Sequence, residues 1–160
     1  ELGQRHLERA LELNPHDTDL LVHAALALAQ LGEPDRACEL AERSLRLNPK
    51  HPDWYCAAAA FPCFVARRLD DCIRYGSRAP DAFVDTRALL AAAHAHRGEL
   101  DAAREHAARF VQQFQLKICA TLELASERAL LWLLQVNPLL RPADEAYLRD
   151  GLRLAGVGSS

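Results

Sequence analysis

The chain lacks methionine altogether, and its 160 residues begin at a glutamate. The missing initiator points to a piece of a longer protein. Glycine is sparse at seven residues and aromatics make up only 6 %, whereas 50 % of the residues are hydrophobic, chiefly alanine and leucine. That balance fits a helical protein with a sizeable core, because Ala, Leu, Arg and Glu lose little on entering a helix. There is no basic excess. The formal charge is −3, so nothing stands ready to hold a polyphosphate backbone, and nucleic acid is not an expected partner. No apolar run approaches the ~20 residues that span a bilayer, so no membrane partner is expected either. The longest run, Ala129 to Val136, is far too short. The amino end, Glu1-Leu2-Gly3-Gln4-Arg5, carries no charged-then-apolar leader pattern.

Groups that would do chemistry are also missing. The cysteines Cys38, Cys56, Cys63, Cys72 and Cys119 are odd in number, and their spacings match no zinc pattern. Each sits where a small apolar residue would suit a helix. They read as buried thiols in a reducing, cytoplasmic setting rather than as metal ligands or disulfides. The glycines are too scattered for a phosphate-cradling loop, and no Gly-x-Ser-x-Gly elbow occurs. His94 and His96 lie two apart, about 200° around a helix, which prevents joint chelation. His94 is expected in the core and His96 toward solvent or a groove; His51 reads as a loop residue. Asp70 and Asp71 diverge by about 100° and suit the first turn of a helix, as do Asp81 and Asp85. No catalytic residue, metal ligand or cofactor is expected, and the chain does not read as an enzyme.

A repeat is present instead. Leu-Glu-Leu-Asn-Pro at 11–15 recurs as Leu-Arg-Leu-Asn-Pro at 45–49, a period of 34 residues. In a helical chain that period marks a stacked array. A first helix over 2–13 stops at Asn14-Pro15. Asp17 or Thr18 can cap the next, since their side-chain oxygens accept free amide hydrogens of a first turn. That helix runs to Leu31 and ends at Gly32, which tolerates the left-handed conformation. Pro34 opens a third helix, which ends at Asn48-Pro49.

This helix–turn–helix–Asn-Pro unit resembles the tetratricopeptide repeat. Leu21 stands at that repeat's first bulky position, Ala24-Ala25 at its Leu-Gly and Leu28 at its Tyr. Ala37 takes the close-contact alanine, Ala41 the aromatic and Pro49 the closing proline. A third unit is degenerate: Trp54-Tyr55 opens it, Pro62 lies inside its first helix and is expected to kink it by removing the bond to the Ala58 carbonyl, and its second helix stops early, at Ala79-Pro80. The fourth recovers, with Leu90-Ala91, His94, Gly98 and Ala103 in register. The resemblance implies an all-α superhelix of stacked antiparallel helix pairs. Its units span 1–17 (partial), 18–51, 52–81 and 82–116. Residues 117–136 are expected to form one long helix and Pro142 to open another. These two cap the array over 117–155, and 156–160 are expected to be loose.

The pieces Asn48–Tyr55 and Leu140–Gly156 also resemble the carboxy-terminal repeat modules of multidomain bacterial signalling proteins, where such modules follow class III cyclase or winged-helix domains. By this likeness the chain is a non-catalytic protein–protein interaction module. Its partner would be a protein or peptide segment, its own upstream domain, or a second copy. The alternative is an intramolecular regulatory or dimerisation domain. The repeat resemblance places a concave groove along the first helices, lined by Asp19, Val22, Leu26 and Gln30, then Ala57, Phe61 and Phe64, then Ala88, Ala92 and His96. Val22 and Leu26 do not suit a clamp for a terminal carboxylate. The groove either takes an apolar or helical segment or is filled by the 117–136 helix folding back.

Overall fold

The structure is a computed structural model and describes residues 2–120 and 123–158. Among these residues the chain forms helices α1 (Leu2–Leu13), α2 (Thr18–Gln30), α3 (Pro34–Leu47), α4 (Trp54–Val65), α5 (Leu69–Gly76), α6 (Val84–His96), α7 (Leu100–Lys117), α8 (Ala125–Val136) and α9 (Pro142–Leu154), with no strand. Three antiparallel pairs result: α2/α3, α4/α5 and α6/α7. Their first helices, α2, α4 and α6, pack side by side, as in a helical superhelix. Alanines let the backbones approach. Ala37 and Ala103 are fully buried at equivalent places in α3 and α7, and Cys72 holds that place in α5.

Local chemistry sets the boundaries. Asp17 caps α2 by accepting the Leu20 N–H at 3.0 Å. Each pair then turns by the same device, in which an amide hydrogen bonds back across the helix end: Glu33 to Leu28 O, Arg68 to Cys63 O and Glu99 to His94 O. Gly32 (φ +87°) and Gly98 (φ +79°) supply the left-handed residue in two of these turns. Arg67 supplies it in the middle one, at φ +63°, where a side chain costs about 1 kcal/mol or more. α4 continues a turn past Pro62 before this turn begins. α5 is short, and at its end Gly76 sits where a Cβ would come within 3.0 Å of Leu90 Cδ2, so α6 can close in.

Two expectations for the tail need correction. Residues 117–136 are not one helix. With no proline after the fourth unit, the stripe carrying Phe110 and Phe114 prolongs α7 through Lys117. The chain then reverses, and α8 starts after Leu124, itself left-handed at φ +50°. The reversal brings Trp132 against Phe114 and Phe110, with ring centroids 5.8 and 6.4 Å apart. The end is not loose as far as Gly158. Val157 is 1 % exposed, and the Gly158 N–H donates to Ser126 Oγ at 2.8 Å. Ser159 and Ser160 lie outside the described residues.

All five cysteines are free thiols. Four are buried and only Cys119, beyond α7, is partly exposed. Burial pushes the Cys72 and Cys56 thiols up from their ordinary range. A thiol-reactive reagent added to the folded protein is therefore expected to modify Cys119 first. The other four should react only on denaturation. Rapid native labelling of more than one thiol, read by mass spectrometry, would contradict this packing.

Candidate functional site

The concave face is divided by the tail. α9 lies across α6, with Gly151 so close that a Cβ there would sit 2.7 Å from His96 Nε2 and 2.8 Å from the Ala92 Cβ. Tyr147 stacks on His96 at 3.7 Å between ring centroids, and His96 Nε2 donates to the Tyr147 carbonyl at 2.8 Å. The Tyr147 ring also meets Phe64 at 5.4 Å and carries the Arg67 guanidinium 3.8 Å from its centroid. Arg67 in turn donates to Asp144 Oδ1 at 2.9 Å. Asp144 is buried and accepts a second bond, from Arg141 Nε, at 2.7 Å. The left-handed turn at Arg67 thus positions a side chain that holds the tail, which a glycine there would not do.

Earlier in the tail, the Leu140 N–H donates to the Gln30 carbonyl at 2.8 Å. The Arg141 side chain lies over Gly32. The segment 140–151 therefore visits all three hairpin turns in order: Gln30 and Gly32, then Arg67, then His96.

What remains is a chamber of about 560 Å³. Leu26 and Gln30 of α2, Ala57 and Phe61 of α4, and Leu89 of α6 form its floor. The opposite wall is Trp132, Val136 and Asn137 from α8, with Lys117 and Ile118 at the end of α7. Phe83, Val84 and Asp85, at the start of α6, complete it together with Ala82. Phe83, Ile118 and Val136 are 40–46 % exposed, so the opening is apolar.

Of the ten residues expected along the groove, Leu26, Gln30, Ala57 and Phe61 meet here. Phe64, Ala92 and His96 lie instead beneath α9. Ala88 is core. Val22 is buried against Tyr55 and Ala58, and Asp19 accepts a hydrogen bond from the Tyr55 hydroxyl outside the chamber. The α8 wall comes from the fold-back that the sequence offers as one of two alternatives; which of its residues face the chamber, Trp132, Val136 and Asn137, the sequence does not show. His94 is half-buried, bonded through Nδ1 to Glu99 at 2.5 Å and stacked on His106; its ring shares no ligand position with His96.

Asp85 is the acid of the chamber, beside the polar residues Gln30, Lys117 and Asn137. Asn137 Nδ2 donates to its Oδ2 at 3.1 Å and also reaches the Leu133 carbonyl. Burial pushes the Asp85 carboxyl above the usual range, although the hydrogen bonds from Asn137 and from the amides of its own turn act the other way. A raised folded pKa means that the unfolded chain loses its proton first. Stability conferred below the ordinary carboxylate range is then lost as pH rises through the folded value. Asp85→Asn is accordingly expected to raise the melting midpoint at pH 7, with the gain shrinking toward zero below about pH 3.9. A pH-independent difference would show that Asp85 is not held in this way.

Helical hairpins with a 34-residue offset and alanine contacts have a counterpart among known proteins. Residues 18–61 match the tetratricopeptide repeat. The match covers α2, α3 and the first two turns of α4. Tetratricopeptide repeats mediate protein–protein contact, and the matched segment contributes four of the chamber's residues. No curated protein and no solved structure matches the chain. Among the described residues no helix is long and apolar enough to cross a membrane.

Proposed function

We propose that the chain is a non-catalytic interaction module of a larger bacterial signalling or regulatory protein, and that its chamber takes apolar side chains of a partner's peptide segment. The observation that carries this reading is the chamber itself. It is a cavity of about 560 Å³ beside the tetratricopeptide repeat, with Phe83, Ile118 and Val136 at its mouth. Burying apolar side chains there gives affinity without bond chemistry. The test is selection of peptides from a displayed library on the purified chain, followed by binding to Val136→Lys. Val136 is a rim residue at the end of α8, so this variant should fold. Its affinity for the selected peptides is expected to fall at least about tenfold, since a charge displaces an apolar contact. Unchanged affinity would exclude the chamber as the site.

A second apolar cleft favours a further contact, with a neighbouring domain or a second copy. It lies between α1 and the tail, measures about 790 Å³ and is lined by Leu7, Ala27, Leu31, Leu139 and Leu140, among others. Light scattering of the isolated chain separates the two: a dimer abolished by Leu140→Asp supports self-association, whereas a monomer leaves the neighbouring domain.

A further inference from the structure

The chamber is not uniformly apolar, and among the described residues its one acid, Asp85, has no cation paired with it. Among the described residues Asp85 is bonded to Asn137 and to amides of its own helix start, with no arginine or lysine against it. Lys117 lines the same cavity but acts on Asp81, which is also paired with Arg87 at 2.8 Å. The acid at the start of α6 is therefore left facing an apolar space that three aromatic residues, Phe61, Phe83 and Trp132, also line. An aliphatic stem with a cationic head fits that combination. The stem gains from leaving water, the aromatic faces attract positive charge, and the head meets a half-buried carboxylate that Asn137 already orients.

We infer that the partner segment inserts a lysine or arginine side chain into the chamber, its stem along Trp132 and Phe61 and its head on Asp85. The inference rests on the chamber reading proposed above and names the chemistry of its ligand. Asp85 also has a structural role, since it pins Asn137 and hence the end of α8. The experiment therefore uses Asp85→Asn, which keeps a hydrogen-bonding group of the same size in place.

The probes are an N-acetylated, amidated Leu-Lys-Leu peptide, its analogue with norleucine in place of lysine, and n-hexylamine. Binding is followed by the indole N–H resonance of Trp132, assigned with Trp132→Phe. The wild-type chain is expected to bind the lysine peptide about tenfold more tightly than the norleucine peptide. In Asp85→Asn that preference should shrink to within about twofold, with the norleucine peptide binding as before. Asp81→Asn should leave the preference intact. Equal affinities in the wild-type chain would overturn the cation assignment while the apolar chamber stands. No response of Trp132 to either peptide would remove the chamber reading as well. A preference that survives in Asp85→Asn would place the cation elsewhere. Binding of n-hexylamine without the lysine peptide would make this a site for free amines and overturn the assignment to a partner's side chain.

Discussion

Truncating Phe110 to alanine is expected to destabilise the chain by about 3–5 kcal/mol, the range for emptying a well-packed aromatic site. Phe110 is completely buried on α7 and packs toward Trp132 of α8. Its loss leaves a void that rigid neighbours on α6 and α8 can only partly close. The effect should reach the chamber, because Phe110 and Phe114 are what Trp132 rests on. Urea titration followed by tryptophan fluorescence measures it. Phe83→Ala is the comparison. Its ring is 40 % exposed at the chamber mouth, and its removal should cost no more than about 1 kcal/mol. Similar losses for the two variants would mean that α8 is not anchored through Phe110.

The second large effect concerns Gly151, and there the sign matters more than the size. Glycine in a helix interior is normally a weakness, and Gly→Ala gains up to about 1 kcal/mol. A methyl group added at Gly3, in the first turn of α1, would meet nothing within 4 Å, so Gly3→Ala should show a part of that gain. Gly151→Ala should reverse it. The new methyl would press on the Ala92 Cβ at 2.8 Å and on His96 at 2.7 Å, and the alanine cannot rotate away. Overpacking of this kind costs about 1–3 kcal/mol. Relief would come from α9 lifting off α6, which separates Tyr147 from His96. Thermal midpoints should therefore move in opposite directions for the two glycines. Limited proteolysis should also cut Gly151→Ala first near 137–141. A stabilised Gly151→Ala protein would show that α9 does not press on α6 at this point.

The periodicity of 11–49 carried most of the architecture. Leu11, Leu13, Asn14 and Pro15 recur at 34 residues, and helix ends at Asn-Pro and Gly follow from local rules that need no tertiary partner. Pairing of α2 with α3 and of α6 with α7 was legible for the same reason. The tail was not. Trp132 has the same apolar signature whether it caps an array or folds back as a wall, and only contact with Phe110 and Phe114 decides. Asp85 likewise reads as an ordinary helix-start acid, and its role in the chamber depends on Asn137, 52 positions away. Arg67 left a visible trace. It stands where Gly32 and Gly98 stand in the neighbouring turns, and a bulky residue at a glycine position is a departure that asks for a reason. Its bond to Asp144 supplies one.

The path of residues 140–151 along Gln30, Arg67 and His96 changes what kind of object the array is. An open solenoid is a spring: each unit touches only its neighbours, so it can stretch, twist and fray from either end. A splint fastened at three successive rungs removes that freedom. The curvature becomes a fixed dimension of the molecule, and a partner meets a preformed surface that needs little ordering on contact.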